Sequence, residues 1–414
     1  MKPNMKRITF LFAAAILLCG CGSSNVTRQV LFMNPDAESI PYRIPAIAAC
    51  NDGSLVALAD YRHCRADIGF GRVDLRCRLS DDNGKSWGRE ITVVEGNGIS
   101  GSADCGFGDP AVVCDSETGE ILLLSVRGET VYWKESTNRQ NPNRIAAFRS
   151  LDKGNSWSAP QDMTEDIYSL FDSCTAGCIE SCFVGSGRIF QSRSIKTGSH
   201  YRIYAAMCAR PNGNRVIYSD DFGHTWKALG GAEALPALDG NEPKCEELAD
   251  GSVVLSSRAE GGRIFNIYRY SDPVSGEGTW GKAEFSGIGN NGCTALENAC
   301  NGEILIVQSV RADDNATVSL ALQSVPLGKG RSNVGIYFKE LPADAGSVTP
   351  ASFASGWEGP YQVSYTSSAY STMVLQSDGR IAFFYEETLN ADETGYDLVY
   401  TALPVPVITS GKYK

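Results

Sequence analysis

A short pattern recurs three times along this chain of 414 residues and limits what the chain can fold into. Residues 80–87, 150–157 and 219–226 all read Ser-x-Asp-x-Gly-x-Ser/Thr-Trp, and their first residues lie 70 and 69 positions apart. A looser fourth copy spans residues 271–280 and also ends in tryptophan. Recurrence at a near-constant spacing is the sequence signature of a repeat architecture. We therefore predict a chain built from repeated structural units.

Each copy of the pattern has the chemistry of a tight turn between two strands. Strand-like runs precede the first copy at residues 76–79 and the third at residues 215–218. An Asp side chain can accept hydrogen bonds from local backbone N–H groups, and Gly takes the positive φ that such a turn requires. The pattern therefore predicts repeated β-hairpins, with each closing tryptophan folded back under its turn.

Short β-rich runs separated by Gly, Asn and Asp occupy the rest of the chain. Such runs occur at residues 54–59, 121–126, 201–206, 252–256 and 381–385, and no long stretch has helical periodicity. Radial repetition of small sheets around an axis leaves few exposed strand edges, which is the design of a propeller. About 385 residues at roughly 65 per blade predict an all-β, six-bladed β-propeller over residues 28–414 as a single domain.

The N-terminus has the layout of an export signal. Basic residues precede a short apolar run that ends in Leu18-Cys19-Gly20-Cys21, which is too short to span a bilayer and resembles a bacterial lipobox. We expect residues 1–21 to be a lipoprotein signal peptide, with lipid on Cys21 and residues 22–27 as a flexible tether. The protein would then be exported and attached to the cell envelope through that lipid. A plain signal peptide that happens to contain cysteine is the alternative.

Charge and cysteine content exclude some classes of partner and cofactor. The net charge of −11 argues against binding to nucleic acid. Three of the 14 cysteines, Cys174, Cys178 and Cys182, stand four residues apart, but the chain has only three histidines and no Cys-x-x-Cys pair. Small buried hydrophobic residues or disulfides therefore explain them better than a metal site. We expect neither a metal nor a cofactor.

The motif Tyr-Arg-Ile-Pro at residues 42–45 stands just ahead of a strand-like run. Together with the repeated boxes it resembles the sialidase (neuraminidase) superfamily, and the resemblance extends from about residue 28 to residue 404. It implies a monomeric, metal-independent retaining exo-α-sialidase that releases terminal sialic acid from glycoproteins, glycolipids or oligosaccharides. It also implies three arginines that bind the carboxylate of the sugar.

Three arginines match the carboxylate-binding positions of that family. Arg43 belongs to the Tyr-Arg-Ile-Pro motif, Arg263 follows a Glu-Leu-x-Asp-Gly stretch at residues 247–251, and Arg331 lies in a late loop, where Arg311 is a competitor. Arginine suits the task because its planar guanidinium binds a carboxylate through two parallel hydrogen bonds, which lysine cannot do.

The resemblance nominates Tyr370 as the nucleophile and Glu247 as its partner. A tyrosine nucleophile has a physical rationale, because sialic acid carries a carboxylate on the reacting carbon and would repel a carboxylate nucleophile. Sialidases are the known tyrosine exception among glycosidases. Free Tyr and Glu differ by about six pKa units, so nearby arginines or a proton transfer concerted with attack must assist.

Asp67 matches the acid/base, which the family carries on a loop after the first inner strands. Arg62, five residues earlier, would contact the far side of the sugar. Asp67 would protonate the leaving oxygen and later activate water. Asp60 and Asp74 are the nearby carboxylates that could replace it in this role.

Two other function classes remain open at this stage. A propeller could hold a sialylated glycan without chemistry, although a binding module has no use for a Tyr–Glu pair. The same fold could also transfer the sialyl group or release it by an intramolecular reaction. The motifs do not distinguish among α2,3, α2,6 and α2,8 linkages.

Overall fold

The computed structural model describes residues 26–389 and 395–414, and these residues form a six-bladed β-propeller. The expectations for the signal peptide, for Cys21 and for the first residues of the tether lie outside this range. Within it, no helix is both long enough and apolar enough to cross a membrane. The predicted fold class, an all-β propeller of six blades, is confirmed.

The blades are antiparallel sheets of four or five strands, numbered here along the chain. Blade 1 contains β2 (Tyr42–Ala49), β3 (Leu55–Tyr61), β4 (Asp74–Ser80) and β5 (Ile91–Val94). Blade 2 contains β6 (Phe107–Cys114), β7 (Ile121–Arg127), β8 (Arg144–Ser150) and β9 (Gln161–Asp162). Blade 3 contains β10 (Ser181–Val184), β12 (Phe190–Thr197), β13 (His200–Arg210), β14 (Asn214–Ser219) and β15 (Lys227–Ala228).

The second half of the ring repeats this plan. Blade 4 contains β16 (Asn241–Glu247), β17 (Val253–Ala259), β18 (Gly262–Asp272), β19 (Glu277–Trp280) and β20 (Glu284–Ser286). Blade 5 contains β21 (Ile304–Val310), β22 (Thr317–Gly328), β23 (Ser332–Glu340) and β24 (Glu358–Gln362). Blade 6 contains β25 (Ser368–Leu375), β26 (Ile381–Glu387) and β27 (Asp397–Leu403), together with β1 (Arg28–Phe32).

Within the described residues, short helices occur only in connections between strands and after the last strand. They are α1 (Thr164–Tyr168), α2 (Pro350–Ala354) and α3 (Val405–Ile408), with single 3₁₀ turns at Ser169–Phe171, Ile288–Asn290 and Ala345–Ser347.

Three sets of bonds link neighbouring blades or close the ring. The first strand, β1, pairs antiparallel with β27, so that the two ends of the chain build blade 6 together. A disulfide between Cys50 and Cys114 joins blade 1 to blade 2. The short strand β11 (Gly187–Arg188) leaves blade 3 and pairs in parallel with β6 of blade 2.

The repeated boxes form the turns β4–β5, β8–β9 and β14–β15, between the third and fourth strands of blades 1 to 3 counted outward from the axis, as predicted. In the first box, Asp82 accepts hydrogen bonds from Ser80 Oγ at 2.9 Å and from Ser86 N at 2.8 Å, and Gly84 takes a φ of 78°. Asp152 and Asp221 make the same bonds in the other two boxes. These carboxylates are therefore turn residues.

The closing tryptophans pack less uniformly than predicted. Trp226 is buried, whereas Trp87, Trp157 and Trp280 are half-buried. Trp87 packs edge-on against Tyr400 of blade 6, at 5.0 Å between ring centroids. The tryptophans thus fill the seams between blades as well as the space under their own turns.

The cysteines at positions 174, 178 and 182 form no metal site in the described part of the chain, where no group of potential ligands meets metal-binding geometry. Cys174 and Cys182 are buried thiols, and Cys174 Sγ lies 3.6 Å from a carboxylate oxygen of Glu233. The packing of Cys174 and Cys182 agrees with their interpretation as small buried side chains, whereas Cys178 is half-buried.

Candidate active site

A pocket of about 350 Å³ lies at one end of the propeller axis. Polar and charged side chains make up one part of its wall and apolar side chains another. The polar residues are Arg43, Arg62, Asp67, Asp109, Thr130, Asn143, Asn241, Glu242, Arg258, Arg331 and Tyr370. The pocket therefore contains five of the seven site residues that the sequence predicted, together with others that it did not.

Strand direction explains why these residues meet. Arg43, Glu242 and Tyr370 all stand within the first three residues of an innermost strand (β2, β16 and β25). Because the three side chains share one pocket, these strands enter the ring from the same end. Arg258 stands near the end of an antiparallel second strand, β17, which returns to that end. The boxes follow third strands, so they lie at the opposite end.

A buried pair of side chains forms the floor of the pocket. The hydroxyl of Tyr370 donates to Glu242 Oε1 at 2.5 Å. Burial, and then the neighbouring Glu242 carboxylate, raises the pKa of the Tyr370 phenol well above its usual value. The phenol of Tyr370 is therefore neutral at rest and hydrogen-bonded to Glu242.

Three guanidinium groups surround the phenol of Tyr370. Arg258 Nη1 donates to Tyr370 Oη at 3.3 Å and lies 3.1 Å from Glu242 Oε2. The guanidinium carbons of Arg43 and Arg331 lie 5.8 and 5.7 Å from the centroid of the Tyr370 ring. Three converging cations favour an anionic ligand directly above the phenol.

Glu386 holds the Arg43 guanidinium and the backbone of Tyr370 in place. Its carboxylate accepts from Arg43 Nε at 2.7 Å and from the backbone N–H of Ile44 at 2.8 Å and of Tyr370 at 3.1 Å. Burial alone would lower the pKa of Arg43, but this carboxylate outweighs burial and raises it. Arg43 is thus a fixed, fully charged group.

The prediction that Glu247 is the partner of Tyr370 is wrong. Glu247 is the last residue of β16, and Glu242 is the second, so five residues at about 3.3 Å each place them roughly 16 Å apart along the axis. Glu247 instead accepts hydrogen bonds from Ser192 Oγ, Arg193 N and Ser194 Oγ at the other end of the propeller. Glu242 takes its place beside the phenol.

The prediction that Arg263 is the second clamp residue is also wrong, because Arg258 lines the pocket and Arg263 does not. Arg263 is fully buried, and its guanidinium donates to Ser256 Oγ, to the Ser256 carbonyl and to the Cys300 carbonyl. Burial lowers the pKa of Arg263 to about 10. Arg258 and Arg263 face each other across the β17–β18 hairpin, so the motif located the correct hairpin and the wrong arm of it.

The predicted third clamp residue lies in the pocket. Arg331 lines the pocket, and its Nε donates to the carbonyl of Ala299 at 3.2 Å. Its competitor Arg311 pairs with Glu340 and Asp314 and does not line the pocket. By holding the Cys300 carbonyl, Arg263 fixes the segment that positions Arg331.

Asp67 and Arg62 lie on the opposite wall, on the connection after β3. Asp67 is 62% exposed, and its Oδ1 lies 2.8 Å from Arg62 Nη2. The two competing carboxylates have other partners: Asp60 is buried and accepts from Arg62 and from the backbone of Asp109, and Asp74 binds His63, Arg72 and Arg76. Asp67 is therefore the carboxylate placed to reach a ligand at the pocket mouth.

Asp109 is a pocket residue that the sequence analysis missed. It follows Gly108 early in β6, has a φ of 54°, and lines the pocket. Burial, reinforced by Asp67 and Asp60, raises the pKa of its carboxyl group well above the usual value. A carboxyl group kept protonated in this way can donate a hydrogen bond to a ligand hydroxyl.

One wall of the pocket is apolar. Ile68, Val126, Tyr132 and Phe183 line it, and the rings of Tyr132 and Phe183 meet edge-on at 4.8 Å between centroids. This wall can pack a methyl-sized group of a ligand whose carboxylate binds the arginines.

The pocket as a whole suits a carboxylate-bearing sugar above a tyrosine that has a proton acceptor, with an exposed acid on the far wall. These features define the class of the protein as a six-bladed β-propeller with a carboxylate-binding pocket at one end of its axis. The sequence matches the family described as BNR repeat-like domain over residues 69–383. The chain belongs to that family.

Two relatives named sialidase show the extent of the likeness. The chain is 32% identical over 281 residues to a sialidase of Micromonospora viridifaciens, and that alignment covers 62% of this chain and 41% of the relative. It is 25% identical over 415 residues to a sialidase of Paraclostridium sordellii, and that alignment covers 95% of this chain and 96% of the relative. The chain thus spans less than half of the first relative and nearly all of the second.

Solved structures share the fold. The Hadza microbial sialidase Hz136 aligns with a TM-score of 0.69 at 20% identity, covering 92% of this chain and 69% of that one. The intramolecular trans-sialidase from Ruminococcus gnavus aligns with a TM-score of 0.64 at 17% identity, covering 92% of this chain and 98% of that one. The resemblance to the sialidase superfamily that the motifs indicated is confirmed.

Proposed function

We propose that the protein is a retaining exo-α-sialidase that hydrolyses terminal sialic acid from glycoproteins, glycolipids or oligosaccharides. The observation that carries this proposal is the buried Tyr370–Glu242 pair beneath three guanidinium groups. A glycan-binding module needs cations for a sialic acid carboxylate, but it has no need for a phenol hydrogen-bonded to a carboxylate at 2.5 Å.

Each group of the pocket has a counterpart on the sugar. Arg43, Arg258 and Arg331 bind the carboxylate on the anomeric carbon, which places that carbon above Tyr370 Oη. The apolar wall packs the methyl of an N-acyl group. A pocket of about 350 Å³ lies at the small end of the range for ligand sites and suits a single terminal sugar residue.

The reaction proceeds in two displacements. Tyr370 Oη bonds to the anomeric carbon while its proton passes to Glu242, and the bond to the leaving oxygen breaks as that oxygen takes a proton from Asp67. Water then attacks the anomeric carbon and gives a proton to the Asp67 carboxylate, while the bond from that carbon to Tyr370 Oη breaks and the leaving phenolate recovers its proton from Glu242. Two inversions at one carbon retain the anomeric configuration.

The neutral nucleophile follows from charge. The carboxylate of the substrate would repel an attacking carboxylate, whereas the phenol is uncharged until the proton moves. Because burial raises the pKa of Tyr370, a free phenolate is unfavourable at rest. Proton transfer to Glu242 therefore accompanies attack, and Arg258 stabilises the charge that develops on Tyr370 Oη.

The test uses an α-linked sialoside, with NMR detection of free sugar and of the first anomer released. Hydrolysis with retention is expected, and a fluorinated sialyl fluoride should label Tyr370 alone, as seen by peptide mass spectrometry. Tyr370→Phe should lose turnover and labelling while still binding a sialic acid analogue. An anhydro sugar or a transferred sialyl group as the main product would replace hydrolysis by one of the related reactions. Full activity of Tyr370→Phe would overturn the mechanism.

We also propose that the protein is exported and held at the cell envelope by lipid on Cys21. The support is the sequence of residues 1–25, which lie outside the described residues. Cys21→Ala should release the protein from membrane fractions, and intact mass spectrometry of the wild type should show the added acyl chains. A wild-type protein without lipid would refute the anchor and leave the proposed activity untouched.

A further inference from the structure

A second cavity of about 210 Å³ adjoins the candidate active site. The connection between β7 and β8, residues 128–143, separates the two, and Thr130 and Val131 line both. Trp133 lines the candidate active site and is 65% exposed, whereas the next residue, Lys134, lines the second cavity. A ligand that leaves the first cavity over Trp133 therefore reaches the second.

The second cavity lies on the side where a leaving group must sit. Asp67 donates its proton to the leaving oxygen in the proposed reaction, and Phe70 is on the same connection, three residues later. The ammonium group of Lys134 lies 5.1 Å from the centroid of the Phe70 ring and 5.9 Å from that of Trp133. Lys134 thus stands beside the path of the second sugar of a bound glycan.

Charged groups of the second cavity are mostly cations. Its lining residues include Arg127, Lys134 and Arg144 against a single carboxylate, Glu129. Glu129 is already engaged, because it accepts from Ser100 Oγ at 3.0 Å and from Gly101 N at 2.6 Å.

The three cations differ in how well they are paired. Arg127 lies 2.8 Å from Asp104, and Arg144 makes only a contact of 3.7 Å to Asp162. Within the described residues, no carboxylate oxygen lies within 4.0 Å of Lys134 Nζ. Contact with the faces of Phe70 and Trp133 attracts the ammonium without neutralising its charge.

The backbone holds Lys134 in this position. Its N–H donates to the Val131 carbonyl at 3.1 Å, and its own carbonyl accepts from Thr137 N at 3.0 Å and from Arg210 Nη2 at 2.9 Å. The backbone is thus fixed, whereas the ammonium group is exposed at the cavity without a carboxylate partner among the described residues, so it can bind an anion.

From these observations we infer that the second cavity is a subsite for an anionic group on the sugar next to the bond that is cleaved, with Lys134 as its main cation. The inference rests on the proposed sialidase function, which it extends from the terminal sugar to its neighbour. The anion is a carboxylate or a sulfate ester, as on an internal sialic acid or on a sulfated galactose.

The experiment compares three substrates that share the terminal sugar: 3′-sialyllactose, whose leaving group is neutral, α2,8-disialyllactose, and a 3′-sialyl-lactosamine sulfated on galactose. An exposed ion pair contributes 0.2–1 kcal/mol, so wild type should prefer the anionic substrates in kcat/KM by about 1.4- to 5-fold over the neutral one. Lys134→Met should remove the preference with little change on 3′-sialyllactose, and Lys134→Glu should reverse it. In 1 M salt the preference should fall toward unity because the Debye length is then about 3 Å.

Lys282→Met is the matched control, since Lys282 is 90% exposed and does not line either cavity. It should keep the wild-type preference. A preference for only one anionic substrate would identify the source of the anion as carboxylate or sulfate. Equal rates on neutral and anionic substrates, or equal losses on all three in Lys134→Met, would overturn the subsite.

Binding to a Tyr370→Phe protein, measured by calorimetry, separates this inference from the proposed function. If no sialoside is cleaved by wild type but the Lys134-dependent preference appears in binding, the proposed activity fails and the subsite stands. If sialosides are cleaved and Lys134 affects neither rate nor binding of the anionic substrates, the subsite fails and the activity stands.

Discussion

Two glutamates on one strand provide the sharpest test of the site. Glu242 and Glu247 lie on β16, about 16 Å apart, and of the two only Glu242 accepts a hydrogen bond from the hydroxyl of Tyr370. Replacing each by glutamine changes the same atoms in the same strand. We therefore expect opposite outcomes for Glu242→Gln and Glu247→Gln.

Glu242→Gln removes the only proton acceptor in contact with the Tyr370 hydroxyl among the described residues. A positioned base contributes about 10²- to 10⁴-fold, equal to about 3–5 kcal/mol of activation free energy. The upper part of that range applies, because burial raises the pKa of Tyr370 and leaves little phenolate to react without the base. We expect kcat/KM on an aryl sialoside to fall by about 10³-fold or more.

Glu247→Gln should leave turnover within about threefold of wild type and affect mainly stability. The carboxylate of Glu247 accepts from Ser192 Oγ at 2.5 Å, Ser194 Oγ at 2.8 Å and Arg193 N at 2.8 Å. An amide can keep its oxygen on Arg193 N and donate to the two hydroxyls, which rotate to accept. The weaker bonds should reduce the free energy of unfolding by about 1 kcal/mol.

The assay is kcat/KM on an aryl sialoside, with thermal unfolding followed by circular dichroism on the same samples. Binding of a sialic acid analogue by Glu242→Gln shows that its pocket is intact. Near-wild-type activity of a folded Glu242→Gln protein, or a loss above 100-fold in a folded Glu247→Gln protein, would refute the assignment.

Four further variants test the rest of the site and the burial of Lys244, a residue of β16. Asp67→Ala should reduce cleavage of sialyllactose at least about 10² more than release of an activated aryl group, which needs little protonation, and equal losses would mean that Asp67 only shapes the pocket. Arg258→Lys should lower kcat/KM by orders of magnitude, because lysine cannot bind the carboxylate through two parallel hydrogen bonds. Arg263→Lys should mainly lower thermal stability. Similar kinetic losses in both variants, with unchanged stability, would contradict these different roles. Burial lowers the pKa of Lys244 to about 8. Between pH 8 and about 10.5 the unfolded chain therefore binds more protons than the native protein, so the free energy of unfolding should rise with pH. Relative to Lys244→Met, the rise measured by urea titration should reach about 3 kcal/mol. A constant difference between the two proteins from pH 7 to pH 10 would show that Lys244 is not desolvated.

Local sequence predicted the elements that need only local chemistry. The boxes fix a turn because Ser80, Asp82 and Gly84 bond within five residues of one another. Arg43 and Asp67 both line the pocket, and each stands beside a distinctive local feature, a Tyr-Arg-Ile-Pro motif in one case and an Arg five residues earlier in the other. Tyr370 was found in the same way, ahead of an Asp-Gly turn.

Glu242 and Arg258 were missed because their roles depend on which end of a strand faces the pocket. Glu247 precedes an Asp-Gly turn, and that motif drew attention to the far end of β16. Position at the start of an innermost strand, shared by Arg43, Glu242 and Tyr370, was the signal that could have found the correct glutamate. Asp109 likewise carries its signal in position, early in β6, and in no motif.

The sequence by itself determined the repeat, the strand-and-turn chemistry of the blades and the kinds of residue available for a carboxylate-binding site, because those properties arise from contacts between near neighbours in the chain. Only the tertiary structure decided which members of that set meet. The hydroxyl of Tyr370 contacts a carboxylate 128 positions away, and closure of six blades around one axis brings the beginnings of their innermost strands together. Strand β16 carries Glu242 into the pocket and Glu247, five residues later and about 16 Å away, to the opposite end of the propeller, so contacts within the site depend on direction and register more than on motif.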